Sequence, residues 1–332
     1  MTEQADCLRP IRLVWSSNEG PASFGSEVYR TAGRMVVSRR PMPELEPFRV
    51  ASPAMADEPA TSSPASERVS RMVGHRTRGL LGGVERAVSL HLGEDGTVSM
   101  RFEGVGVLDV AGDGSTVWCD RLEPKLDQDL LAETVLGPGL VVALGLQGVL
   151  CLHGSAVEVD GRVVALIGHS GAGKSTLAAR LDRESGSSWS RLADDVLPVS
   201  FADGSAWAHS DFPQLKLGRV CPPSSGRLPL AAVCELTAPA NAHDVPSVDK
   251  VPPRDAALTL VRHSVATRLF PPRLLARHLA RCADLVAAVP VVRARYPHRE
   301  SAVAELGDRL LDLVASTCAP HSHVRSTAVE VR

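Results

Sequence analysis

Eight residues, Gly168-His169-Ser170-Gly171-Ala172-Gly173-Lys174-Ser175, have the spacing of a phosphate-binding loop: glycine, four residues, then glycine, lysine and serine. The apolar run Val163–Ile167 before them reads as a strand, and Thr176–Leu181 after them reads as a helix, which is the context such a loop requires. Glycines let the backbone curl so that successive N–H groups converge on an anion, and a helix N-terminus adds its partial positive charge. Gly168, Ser170, Gly171, Ala172, Gly173, Lys174, Ser175 and Thr176 are therefore the candidate phosphate contacts. In such a loop Lys174 reaches the β and γ phosphates and Ser175 holds Mg²⁺. Composition singles out the lysine: of the 36 basic residues, only Lys125, Lys174, Lys216 and Lys250 are lysine. Arginine is the ordinary cation of this chain. A glycine-rich turn before a helix explains the glycines but not a compact ammonium on a flexible stem at this position.

Two further groups stand near the loop in sequence. His153-Gly154 precedes it, and Asp194-Asp195 follows, within Ala193-Asp194-Asp195-Val196. Phosphoryl transfer needs a metal, a cation over the phosphates and a carboxylate that orients or deprotonates the attacking group. An aspartate pair ending a strand beside the loop could supply the carboxylate and a metal or water contact. Successive residues of a continuous strand point to opposite faces, so the two carboxylates share a site only if the strand ends there. An isolated Asp-Asp pair is ordinarily a solvated turn, and the phosphate loop upstream is what favours a functional reading here. His153 is as well read as a partly buried core histidine, and His169, at a variable loop position, as incidental. His209, His263 and His278 show no metal-ligand spacing.

The elements that must hold these groups can be read from pattern. Val149–Val159 and Arg162–Ile167, joined by Asp160-Gly161, form a hairpin, so the strand feeding the loop leaves a hairpin rather than a βαβ unit. Leu192–Val199 and Ala231–Leu236 read as strands, and Arg254–Arg262, Arg273–Ala288 and Ser301–Val314 as helices, with proline pairs at 222–223, 252–253 and 271–272 as breakers. Upstream, Tyr29–Ser38 reads as one strand. Val88–Leu92, Thr97–Phe102, Val105–Val110 and Thr116–Cys119 alternate between turn signals, as an antiparallel sheet does. Asp127–Leu136 has helical spacing and should stop at Gly137-Pro138, before a second helix over Leu140–Gln147. Val50–Arg68, rich in Ala, Pro and Ser, reads as a flexible loop or linker.

The 332 residues suffice for two domains, and 44% hydrophobic with 22% charged residues is the composition of an ordinary globular protein. A net charge of −2 and 4% aromatic residues argue against a nucleic-acid or anionic-membrane partner. Leu140–Leu152 is too short and interrupted for a membrane span. Seven scattered cysteines without a Cys-x-x-Cys pair, and an N-terminus without a signal-peptide pattern, lead us to expect reduced thiols in a cytoplasmic protein.

Taken in order, Leu152-His153-Gly154, Asp160-Gly161, Gly168–Thr176 and Ala193-Asp194-Asp195-Val196 resemble the catalytic domain of the HPr kinase/phosphorylase family, over about Gly148–Val199. Phe212-Pro213-Gln214-Leu215-Lys216-Leu217 stands where that family carries a glutamate-bearing, glycine-rich segment. The chain looks closer to the HPr-kinase-like proteins of peptide and polysaccharide biosynthesis loci. The resemblance implies an α/β fold: a P-loop kinase domain of HPr-kinase/PEP-carboxykinase-like type, preceded by a small β-rich domain. The corresponding organisation is a disordered N-terminus at 1–25, the β-rich domain at 26–126 with its flexible loop at 50–68, the P-loop domain at 127–318 and a disordered tail at 319–332. It implies that ATP and Mg²⁺ are used, with Lys174 over the phosphates, Ser175 and Asp195 at the metal, Asp194 or Asp195 as base and His153 beside them. The implied reaction is transfer of the γ-phosphoryl group to a hydroxyl, first of all a serine of a peptide or protein. A small-molecule hydroxyl kinase and a nucleotide-binding regulatory module with little turnover are the alternatives, and a homo-oligomer remains open.

Overall fold

The computed structural model describes residues 9–15, 26–51, 75–183, 188–215, 226–237, 245–297 and 299–317. Most of the linker 50–68, the pair Pro222-Pro223, Lys216 and the tail 319–332 lie outside them. Among the described residues two eight-stranded sheets with helices make a mixed α/β protein. The first sheet runs β2 (Glu27–Thr31), β3 (Arg34–Ser38), β1 (Ile11–Val14), β8 (Thr116–Leu122), β7 (Gly106–Val110), β6 (Val98–Phe102), β5 (Val84–Leu92), β4 (His75–Leu81). The meander β4–β8 is antiparallel, as the alternation of β5–β8 predicts and with β4 added at its edge, whereas β1 lies parallel to both β3 and β8.

Three expectations need correction in this half. The stretch 1–25 is not without structure throughout, because Ile11–Val14 is an inserted strand with Ile11 and Leu13 buried. Four residues held by partners more than twenty positions away leave no local signal. Tyr29–Ser38 is a hairpin rather than one strand, turning at Ala32-Gly33, both with positive φ. The helix begun at Gln128 does not stop at Gly137-Pro138. α1 (Gln128–Thr134) passes through a widened turn, Val135–Gly139, into α2 (Leu140–Leu146). Leu140 N–H reaches the Val135 carbonyl five residues back, and such a turn accommodates a proline that would break a regular helix.

This continuous helix is long and apolar enough to cross a membrane, yet most of it is buried. Leu131, Val135, Leu136, Leu140 and Leu144 pack with Met100, Leu108, Val110 and Val117 of the first sheet in one core. The same core takes in Val149, Cys151, Phe212 and Leu274 from the following half, so this helix joins the two halves.

The second sheet starts from β9 (Leu150–Val159) and β10 (Arg162–Gly168), joined by the Asp160-Gly161 turn, and continues through β12 (Val196–Ala202), β13 (Ser205–His209) and β14 (Arg227–Leu236). β14 comes back parallel to β10 and is followed by β16 (Val291–Arg295) and the edge strand β15 (Ser247–Lys250). The expected strand Leu192–Val199 is in fact two. β11 (Ser190–Ala193) and β12 pair with different parts of β9, and the break between them falls on Asp194-Asp195. On one face α3 (Lys174–Arg183) and α6 (Glu300–Thr317) cover Val164, Leu166, Cys234 and Leu236. Toward the other, Ala165, Ile167, Val233 and Val291 pack with residues of α4 (Pro253–Arg262) and α5 (Pro272–Ala288).

Among the described residues Cys119, Cys151, Cys234 and Cys282 are free and buried. Burial pushes the thiols of Cys151, Cys234 and Cys282 up to about 12, so they behave as core hydrophobes.

Candidate functional site

The glycine-rich loop links the end of β10 to α3, between two neighbours that fix where it can go. On one side β9 places Gly154 opposite Ile167, and on the other β14 places Leu236 opposite Gly168. Both contacts are too close for a side chain: a Cβ at Gly154 would stand 2.4 Å from the Leu166 carbonyl, and one at Gly168 would stand 2.6 Å from that of Leu236. The loop then turns through Gly171 and Gly173, both at positive φ (80° and 88°), closed by Ala172 N–H to His169 O at 3.1 Å. Lys174 is buried, and its Nζ donates to the carbonyls of Gly168 (2.9 Å) and His169 (3.1 Å), so the ammonium is held within the curl of the loop.

Across from the loop stand His153 and the two aspartates. His153 N–H donates to His263 O, and Gly154 N–H donates to Asp195 O, which ties β9 to both neighbouring segments. Asp194 is the anchored carboxylate, since Ser155 Oγ donates to its Oδ1 at 2.7 Å and Arg191 Nη1 lies 4.0 Å from its Oδ2. Asp195 faces His153, with Oδ1 3.5 Å from the imidazole Nδ1. Because the strand breaks here, the alternation that would send the two side chains to opposite faces does not apply. Both line one cavity of about 320 Å³, together with His153, Gly154, Ser170, Gly171, Gly173, Lys174, Ser175 and Thr176. Of the candidate phosphate-contact and catalytic residues read from sequence, Gly168 and Ala172 do not line the cavity: Gly168 is buried at the end of β10, and Ala172 packs against the core beneath α3. Among the described residues no group of three His, Cys, Asp or Glu side chains has the arrangement of a protein-only metal site.

Sequence reasoning missed three residues here. Gln214 reaches the Asp194-Asp195 break, where its Oε1 accepts from both aspartate N–H groups (2.9 and 3.2 Å) and its Nε2 donates to the carbonyls of Val196 and Phe212. No local pattern marks it. Glu235, in register with Ile167, is buried and paired to Arg293 through Nε and Nη2, both at 2.8 Å. An acidic residue ending the apolar run Ala231–Cys234, next to the strand that feeds the loop, is the signal that could have found it. His263 lies 3.7 Å from Glu235 and edge-on to His169, with ring centres 5.3 Å apart, so His169 is less incidental than its variable position suggests. Burial pulls the His263 imidazole below its ordinary pKa. Glu235 opposes that, while His169 and Lys174 add to it.

No family model matches the chain, and no curated protein matches it. Among solved structures it is similar to the HPr(Ser) kinase/phosphatase from Coxiella burnetii, over 49% of this chain and 97% of that one, at 9% identity and a TM-score of 0.28. A likeness at that level has no weight for fold or activity, and the functional reading rests on the site itself.

Proposed function

We propose that this chain is an ATP-dependent phosphotransferase that moves the γ-phosphoryl group to a hydroxyl, with a serine of a peptide or protein as the first acceptor class. One observation carries the reading: a loop of phosphate-binding spacing, with its lysine, and a histidine–aspartate pair face each other across a single cavity. Its volume, about 320 Å³, lies within the range of small-molecule sites.

In this reading the loop amides, the N-terminus of α3 and Lys174 hold the triphosphate and spread its charge. Asp195, the carboxylate facing His153, orients the acceptor hydroxyl and takes its proton as oxygen attacks the γ phosphorus and the bond to the β phosphate breaks. His153 holds that carboxylate in place. Mg²⁺ takes hard oxygen ligands, usually one or two carboxylates with phosphates and water. The Ser175 hydroxyl and the anchored Asp194 carboxylate, which line the same cavity, fit that donor set, and a bound ion would neutralise charge developing on the phosphates. This divides the aspartates differently from the expectation that gave Asp195 to the metal. Asp194 accepts from the Ser155 hydroxyl, and Asp195 has the imidazole.

The test uses ATP labelled on its γ phosphate, Mg²⁺ and a library of serine-containing peptides. Asp195→Asn should bind ATP within a few-fold of wild type and lose transfer by about a hundredfold or more. Asp194→Asn should shift the Mg²⁺ dependence to higher concentration. Normal turnover in Asp195→Asn defeats the base assignment, and tight ATP binding by the wild type with no transfer to any peptide or small hydroxyl makes the chain a regulatory module instead.

A further inference from the structure

Two carboxylates on adjacent residues line one cavity here because a bend at Asp194-Asp195 interrupts the strand between β11 and β12, both of which run antiparallel to β9. What holds that bend is a side chain from elsewhere. Main-chain N–H groups that leave a strand ladder need another partner, or they cost free energy. The amides of Asp194 and Asp195 both find it in Gln214 Oε1, at 2.9 and 3.2 Å. The two donors on Gln214 Nε2 go to Val196 O at 2.9 Å and Phe212 O at 3.2 Å. All four hydrogen-bonding positions of the primary amide are used. Neither a carboxylate, which lacks donors, nor an aliphatic side chain reproduces that pattern.

Gln214 is itself held from the first sheet. Asp211, three residues earlier and buried, accepts Ala32 N–H on its carbonyl (3.1 Å) and Gly33 N–H on Oδ2 (3.3 Å), both from the β2–β3 turn. Between them Phe212 is buried in the core beneath the first sheet. The segment 211–214 is therefore clamped at one end by the first sheet, and at the other it fixes the aspartate bend.

We propose that Gln214 is a positioning residue: it sets the Asp194-Asp195 bend that aims both carboxylates into the cavity, and the β2–β3 turn, through Asp211, holds Gln214 at its station. The consequence for rate rests on the phosphotransferase reading, whereas the consequence for the bend does not.

The experiment therefore reads both, on the full chain. Hydrogen exchange of the Asp194 and Asp195 amides should speed up at least tenfold in Gln214→Ala, with the amides of Val163–Ile167 unchanged, and Gln214→Glu, which keeps the acceptor, should recover part of the protection. In transfer assays Gln214→Ala should lower kcat at least tenfold with the KM for ATP within about twofold, and Gln214→Glu should lie between. Unchanged exchange at 194 and 195 in Gln214→Ala overturns the proposal. So does loss of protection across the whole of β10 in both variants, which would make Gln214 a residue of the fold at large. A wild type without transfer activity defeats the phosphotransferase reading alone, and the exchange data still decide the role of Gln214.

Discussion

Replacing Gly154 by alanine should disrupt the site by forcing two neighbouring strands apart. The added Cβ would stand 2.4 Å from the Leu166 carbonyl oxygen and 3.2 Å from Ile167 Cγ2, and ordinary contact begins near 3.4 Å. The shortfall against backbone is 3.4 − 2.4 = 1.0 Å, and no flexible side chain can absorb it. β9 must move away from β10 next to His153, whose neighbour Gly154 also donates its N–H to Asp195 O at 3.1 Å. Overpacking of this kind costs about 1–3 kcal/mol, and a rigid carbonyl as the obstacle puts the cost near the upper end. A shift of about 1 Å between reacting groups costs roughly a hundredfold in rate. The assays are urea unfolding and the initial rate of phosphoryl transfer, with Gly79→Ala as control because nothing lies within 4 Å of its added methyl. Gly154→Ala with wild-type unfolding and a wild-type rate would show that the approach of β9 to β10 does not set the geometry of the site.

His278 is buried on α5 against Cys282 and Phe270, and burial pulls its pKa down to about 4 from an ordinary 6.5. The unfolded chain then takes up a proton before the folded one does, so this contribution is complete above pH 6.5 and is lost as pH falls toward 4, by roughly 3 kcal/mol in all. Denaturant midpoints measured across that window should show the decline in wild type and a shallower one in His278→Leu; equal slopes would remove His278 as the cause. Asp109 is fully buried and grips Arg121 through both carboxylate oxygens, at 2.8–3.1 Å. Asp109→Ala strands a partly buried guanidinium and should destabilise the protein by about 3 kcal/mol in chemical unfolding; a cost below about 1 kcal/mol would mean that Arg121 finds water instead.

What the sequence reveals here is what short-range chemistry encodes. Asp160-Gly161 marks a hairpin because both residues adopt positive φ, and the glycine spacing of 168–175 marks a tight curl for the same reason. The meander β4–β8 is legible in part because its alternation is local. The strand Ile11–Val14 is not legible, because its partners Val36 and Val117 are distant in sequence. Neither is the passage of a helix through Pro138, where packing against Leu108 and Val117 outweighs the local stop signal. At the site, the loop, His153 and the aspartate pair could be named from the chain. Their convergence could not, because the break in Leu192–Val199 is held by Gln214, twenty residues downstream, and Glu235 becomes notable only once β14 is seen beside β10.

The central claim is that the loop from Gly168 to Thr176 binds a nucleoside triphosphate and that the groups facing it pass on the γ phosphate. It is tested most directly by incubating wild type and Lys174→Ala with γ-labelled ATP, Mg²⁺ and the serine-peptide library, and counting label on serine. The account predicts label on serine with the wild type and at least about a hundredfold less with Lys174→Ala, since electrostatic stabilisation of the transferring group is the largest contribution removed, with unchanged circular dichroism. Transfer by Lys174→Ala within a few-fold of wild type, or a wild type that binds no ATP, would contradict it.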